Sequence, residues 1–284
     1  MSVADYYPRM LASGLLLVAG VAFGPLSGCS SAGGVRPSSA PTSPSPVAPH
    51  PKQPFDLMPS SSLRQKADKD LRTNPGGDET TVGVRVSPDG KWVAFESERG
   101  GVHGVWIARS DRSGAKRVSG TSLAVGPSWA PDGSRLAFFA REFKRPGPWT
   151  IWVVEMRDGA ARRLASTGGV RIEGASWFPD SQRLCYAAED RLVVFDTLTR
   201  ATRALHVPAD GGRIAGIPAV SPDGGRIVFA VADDGVWIAS WPDGRMKRVI
   251  AERDVDAFAW APGGRQIAVR TARDGQWKLH IVLR

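Results

Sequence analysis

Five times along this chain an apolar run leads into a proline-headed turn and then into a short strand of the Ile-Ala-Phe kind. The turns are Pro88-Asp89-Gly90, Pro131-Asp132-Gly133, Pro179-Asp180-Ser181, Pro222-Asp223-Gly224 and Pro262-Gly263-Gly264. Successive prolines, at 88, 131, 179, 222 and 262, are 43, 48, 43 and 40 residues apart. Proline presets φ at the first central position of a type I turn, aspartate tolerates the second, and glycine takes the left-handed position after it. A period of roughly 40–45 residues is that of a four-stranded propeller blade, a unit that buries both faces only by stacking on its neighbours.

The turns need strands on both sides, and β-forming runs supply them. Innermost strands are expected at Thr80–Val86, Leu123–Trp129, Arg171–Trp177, Ile214–Val220 and Val255–Trp260. Second strands follow at Trp92–Glu96, Arg135–Ala140, Arg183–Ala188, Arg226–Val231 and Gln266–Arg270. Third strands are Val105–Arg109, Ile151–Glu155, Leu192–Asp196, Val236–Ser240 and Leu279–Leu283, with Trp106, Trp152 and Trp237 at matching places. Fourth strands close four units at Lys116–Ser119, Arg162–Ala165, Thr202–Leu205 and Lys247–Ile250. The fifth unit reaches Arg284 after its third strand. Propellers commonly take the missing outer strand from the other end of the chain, and Phe55–Asp78 is the candidate segment. Within it, however, Ser62 followed by Leu63–Arg72 reads more like a short capped helix. The fold class is therefore all-β, a propeller of four-stranded antiparallel blades with five recognisable repeats, in a ring of five or six.

The units "VSPDGKWVAFES…VWIARSDRSGAKRVS", "SWAPDGSRLAFFA…IWVVEMRDGAARRLA" and "AVSPDGGRIVFAV…VWIASWPDGRMKRVI" resemble the propeller repeats of TolB-like proteins, relatives of the WD-type repeats. The resemblance covers about residues 80–284. The matching residues are turn formers and core apolars, so it speaks for fold more than for activity. It implies a periplasmic protein that docks other envelope proteins. This chain departs from the family in carrying a lipidation signal and in having no evident N-terminal globular domain.

Residues 10–26 form an uncharged apolar stretch, preceded by Arg9 and followed by Leu26-Ser27-Gly28-Cys29. An apolar centre with small residues at the cut marks a secretory signal peptide. Leu-Ser-Gly-Cys resembles the bacterial lipobox, in which Cys29 is lipidated and becomes the first mature residue. An ordinary signal peptide or a membrane anchor is the plainer alternative. Ser30–Pro54 contains seven prolines among serine, alanine and glycine and has no means of building a core. At ~3.1 Å per residue this tether spans roughly 75 Å. The expected organisation is residues 1–28 signal peptide, 29–54 lipidated cysteine and tether, 55–79 linker or ring-closing segment, and 80–284 propeller. The expected location is outside the cytoplasm, held to a bacterial membrane on its periplasmic or cell-surface side.

About 230 residues then remain for one propeller, too few for an added catalytic domain. With Cys29 assigned to lipid, Cys185 is alone in the mature domain, so no intramolecular disulfide forms there. It aligns with Ala137 and reads as a small buried apolar residue. The net charge of +9 comes mostly from arginine. It suits anionic lipid or glycan, or else arginine spread around exposed strand edges. The basic residues do not cluster with stacking aromatics, so no nucleic-acid partner is expected.

In a meander the second-to-third-strand loops and the connections between blades share the face where propellers carry their chemistry, at the mouth of the central channel. The longest such loop, Arg141–Trp149, contributes Arg141, Phe143, Lys144, Arg145 and Trp149. The starts of the innermost strands add Arg171, Glu173, Arg213, Asp254 and Asp256. Aromatic and arginine residues together suit a protein contact. Asp256 and Glu173 with Arg171 and Arg213 would be needed for the alternative, a glycan-binding or glycan-processing channel. No Gly-x-Ser-x-Gly occurs, and His50, His103, His206 and His280 show no metal-ligand spacing. The aspartates Asp89, Asp132, Asp180 and Asp223 are explained by turn formation. No catalytic residue, cofactor or metal is expected. The reading is a lipid-anchored protein-interaction scaffold of the bacterial envelope, with an envelope protein as partner and the membrane reached through lipid on Cys29.

Overall fold

In a computed structural model the chain is described over residues 81–283, apart from 100, 102, 121, 143–146, 169–171, 208–211 and 274–275. The expected signal peptide, tether and linker lie outside the described residues. Blade 1 comprises β1 (Thr81–Val86), β2 (Trp92–Ser97), β3 (Gly104–Arg109) and β4 (Lys116–Arg117). Blade 2 has β5 (Leu123–Trp129), β6 (Arg135–Arg141), β7 (Thr150–Glu155) and β8 (Ala160–Ser166). Blade 3 has β9 (Ala175–Trp177), β10 (Arg183–Ala188), β11 (Arg191–Asp196) and β12 (Thr202–His206). Blade 4 has β13 (Ile214–Val220), β14 (Arg226–Val231), β15 (Gly235–Ser240) and β16 (Met246–Ile250). Blade 5 has β17 (Val255–Trp260), β18 (Gln266–Arg273) and β19 (Gln276–Leu283). Each sheet pairs its strands antiparallel in chain order, four sheets with four strands and the last with three.

The expected strands are present, with two shortened: β4 ends at Arg117 rather than Ser119, and β9 starts late. β9 begins at Ala175 rather than Arg171, and the residues just ahead of it pack closely on blade 2: a Cβ built on Gly126 would meet the Glu173 carbonyl at 2.6 Å and the Gly174 Cα at 2.7 Å. Gly126 itself sits at φ 65° in a β5 bulge, a backbone that only glycine adopts without strain.

The turns close as their sequence dictates. Gly90 N–H donates to the Ser87 carbonyl at 2.9 Å, and Gly133, Ser181, Gly224 and Gly264 repeat the bond. The four glycines have φ between 67° and 72°. Ser181 holds φ 57° without that freedom, and its side chain shows why it is tolerated: its hydroxyl accepts the Asp132 N–H of blade 2 at 3.1 Å.

Stacking uses a repeated device. Two residues before each turn proline, Trp129, Trp177 and Trp260 donate their indole N–H to a carbonyl of the preceding blade: Arg85 at 3.0 Å, Ser128 at 2.9 Å and Ala219 at 2.9 Å. Four residues after the proline, Arg135 stacks on Trp177 and Arg226 on Trp260, and each guanidinium also reaches a turn carbonyl of the following blade. Blade 4 has Val220 in place of the tryptophan, and there its N–H donates to the Ser176 hydroxyl at 3.1 Å instead. Arg135 and Arg226 are thus engaged in joining blades. Apolar clusters fill the spaces: Leu136 and Phe138 against Ala94, Val105 and Ile107; Phe229 and Ile227 against Cys185 and Val194; Ile267 and Val269 against Val236 and Ile238. Phe139 meets Tyr186 edge-on at 5.5 Å between blades 2 and 3. Burial pushes the Cys185 thiol pKa up, so it stays protonated and inert.

Substantial contacts between blades run in chain order, with the innermost strands β1, β5, β9, β13 and β17 adjoining one another in sequence. Among the described strands, blade 5 and blade 1 share none of that extent.

Candidate functional site

Two ends of the stack differ in what their charges do. At the turn end, Asp89, Asp132, Asp180 and Asp223 each accept a backbone N–H two residues on, at 2.9–3.1 Å. The Ser221 hydroxyl and the Gly225 N–H hold the Asp223 carboxyl below the usual range. These aspartates build turns and present no ligand set.

At the opposite end, the start of blade 3, the β10–β11 turn and the entry to blade 4 converge. Glu173, Glu189 and Arg213 line one shallow, open cleft with Ala187, Ile214 and Gly216, with room for about a single water. Among the described residues these three charged side chains form no ion pair or hydrogen bond. Glu173 and Arg213 are expected from the strand starts. Glu189 is not: it lies in the two-residue turn between β10 and β11, at φ 58°, and nothing in the sequence marks it.

The other candidate residues are placed differently. Asp256 is engaged by Arg270, whose Nε donates to its Oδ2 at 2.6 Å, so its charge serves the β17–β18 pair. Trp149 is 3% exposed; its ring lies 5.2 Å from the Arg141 guanidinium carbon and its carbonyl accepts the Thr167 N–H at 2.8 Å. It anchors the base of its loop, leaving Arg141 at the surface. Phe143, Lys144, Arg145 and Arg171 lie outside the described residues.

Two polar clusters on this side escape sequence reasoning because their members are far apart in the chain or look like ordinary strand residues. Glu96 and His103 are both buried; His103 Nε2 meets Glu96 Oε2 at 2.8 Å, and Glu96 Oε1 accepts the Gly126 N–H of blade 2 at 3.1 Å. The pair ties blade 1 to blade 2. In blade 5, His280 Nε2 meets Glu252 Oε2 at 2.6 Å and the Thr271 hydroxyl at 3.1 Å. A nucleophile relay needs its base to bind the hydroxyl through one ring nitrogen and the orienting carboxylate through the other. Here both partners share Nε2, so the cluster fastens strands and does not activate Thr271. Among the described residues no group of His, Cys, Asp and Glu is placed to hold a metal.

No family model matches the chain. TolB from Acinetobacter baumannii aligns over 80% of this chain and 57% of its own, at 20% identity and a TM-score of 0.52. The Cps50 (Swd1) β-propeller domain of Myceliophteria thermophila aligns over 68% of this chain and 64% of its own, at 15% identity and a TM-score of 0.53. The fold is a β-propeller. Among curated sequences, Tricorn protease homolog 1 of Streptomyces coelicolor is 30% identical over 132 residues, 46% of this chain and 11% of that protein. An uncharacterized protein of Agrobacterium fabrum is 28% identical over 120 residues, 39% of this chain and 40% of that one. The chain thus spans about a tenth and two fifths of the curated relatives that it matches.

Proposed function

We propose that this propeller is a lipid-anchored, extracytoplasmic protein-interaction scaffold of the bacterial envelope, and that the channel-mouth face makes the contact. The observation that carries the proposal is the cleft of Glu173, Glu189 and Arg213. Three strongly hydrated charges from three segments converge there without satisfying one another. The turn aspartates, Arg135, Arg226 and Asp256, by contrast, are engaged in turns, blade joints or a strand pair. Uncommitted charges of both signs supply complementarity and register to a partner surface. The lipobox-like Leu26-Ser27-Gly28-Cys29 and the proline-rich sequence after it support an anchored protein with a long reach.

Photo-crosslinking in cells from positions 173 and 213 tests this reading. Capture of one discrete envelope protein, lost in a Glu173→Arg/Arg213→Glu variant, is expected; absence of any protein adduct from either position overturns it.

A second reading is a glycan-binding mouth, favoured by the same placement of two carboxylates beside an arginine. The cleft has no depth for a buried sugar ring, which weighs toward a protein surface. Polysaccharide binding that is unchanged in Arg213→Ala removes the glycan reading.

A further inference from the structure

Blades 1 and 4 carry nearly the same third strand. It reads His103-Gly104-Val105-Trp106-Ile107-Ala108 in one and Asp234-Gly235-Val236-Trp237-Ile238-Ala239 in the other, and only the first residue differs. The register is shared as well: Trp106 stands opposite Arg117 of β4, and Trp237 opposite Arg248 of β16. In blade 4 one carboxylate joins the two. Asp234 Oδ2 accepts the Trp237 indole N–H at 2.8 Å, and its Oδ1 accepts from Arg248 Nη1 at 2.5 Å. In blade 1 the residue at that place, His103, meets Glu96 instead, at 2.8 Å from its Nε2. Among the described residues the Trp106 indole nitrogen is buried without a hydrogen-bond partner. Arg117 donates there to two neutral acceptors, the Ser119 hydroxyl at 3.1 Å and the Ser122 carbonyl at 3.0 Å, and forms no ion pair.

We propose that Trp106 and Arg117 form a binding site for a carboxylate of another molecule, held as Asp234 is held in blade 4. A buried N–H without an acceptor and a partly buried guanidinium without a counter-charge are both costly, and one carboxylate relieves both. Burial lowers the Arg117 pKa, as expected for a cation that gives up water and gains no anion in return. A water would satisfy the indole N–H and leave the guanidinium uncompensated. The two oxygens of a carboxylate accept from a guanidinium and from an indole at once, the arrangement already present at Asp234.

The surroundings of the three matching tryptophans single out blade 1. Trp152 of blade 2 gives its N–H to the Thr150 hydroxyl at 2.8 Å. Blade 1 has Gly104 at the Thr150 position, and the Arg117 side chain takes up the space: a Cβ built on Gly104 would lie 2.5 Å from Arg117 Nε. A donor thus stands where blade 2 has an acceptor. Trp237 packs against the apolar cluster that joins blades 3 and 4, so its carboxylate comes from the chain itself. Trp106 packs with Val84, Val93, Phe95 and Ala108, a cluster that includes no residue of another blade. The Arg99 guanidinium carbon lies 5.7 Å from the Trp106 ring and 5.9 Å from that of Phe95, which keeps the site cationic.

The indole N–H resonance of Trp106 in the ¹⁵N-labelled full-length chain, assigned by its loss in Trp106→Phe, tests the site. Sodium acetate and the amide of N-acetylaspartate are titrated at neutral pH, with ionic strength held constant by sodium chloride. Expected is a saturable shift of the Trp106 resonance with either carboxylate, while Trp152 and Trp237, whose N–H groups already have acceptors, stay in place. Binding should weaken about tenfold or more in Arg117→Gln, from loss of a charge-assisted hydrogen bond. Tighter binding of the aspartyl amide than of acetate would identify a protein side chain as the natural source, and equal binding a small organic acid. A Trp106 resonance that ignores both carboxylates, or that follows chloride equally, overturns the proposal. So does unchanged affinity in Arg117→Gln. The titration of the parent decides by itself if that variant does not fold, and its result is independent of whether position 213 captures a partner.

Discussion

The two ends of this propeller use the same residue types for opposite purposes. At the turn end, aspartate closes hairpins and arginine stacks on the tryptophan of the next blade, so charge is converted into fold. At the mouth end, Glu173, Glu189 and Arg213 meet around a cleft and leave their charges unspent. The contrast shows that a strongly basic composition says little about binding until each charge has been followed to its partner. It also explains why the aspartates recur with the repeat whereas the mouth residues do not: a turn is needed in every blade, a contact surface once.

Substitutions at the two ends should therefore separate stability from binding. The largest expected effect is at a blade joint. Trp177→Ala removes a 6%-exposed indole and its hydrogen bond to Ser128, and should cost about 3–5 kcal/mol in denaturant unfolding. A cost under about 1 kcal/mol would show that the joints are not where the fold is held. Next, Arg135→Ala should cost about 1.5–3 kcal/mol, because the guanidinium donates to Thr197 at 2.9 Å and to the Ser181 carbonyl while stacking on Trp177. Arg135→Lys should recover little, since an ammonium cannot stack and fork at once. At the mouth, Arg213→Glu should change unfolding by no more than about 0.5 kcal/mol while abolishing capture of the partner. A large loss of stability there would erase the distinction between the ends. The smallest effect belongs to Asp223. Its native pKa is lowered, so its contribution is present above the unfolded value of about 3.9 and fades as pH falls through the lower native value. Asp223→Asn should flatten that part of the acid-unfolding profile and leave the profile near neutrality parallel to the parent.

Legibility in the sequence follows the range of the interaction. The hairpins are local: a proline, an Asx side chain and a glycine within four residues determine each turn, and all five are found where the pattern puts them. The mouth is partly legible, since strand starts and loops can be assigned to a face, which brings out Glu173 and Arg213. Glu189 escapes because nothing in Glu-Asp between two strands marks it as facing Arg213. Trp149 shows the reverse: an aromatic in a long loop suggests a contact residue, but packing turns it inward.

By itself, then, the sequence determined the period, the turns, the strand order and the all-β class, because these depend on neighbours along the chain and on alternation within single strands. Only the tertiary structure decided which arginines join blades, which glutamates line the cleft, and that Leu279 and Ile281 stand uncovered. Those outcomes depend on residues some 40 positions away in the next blade, and burial there is set by the neighbour that packs against a side chain.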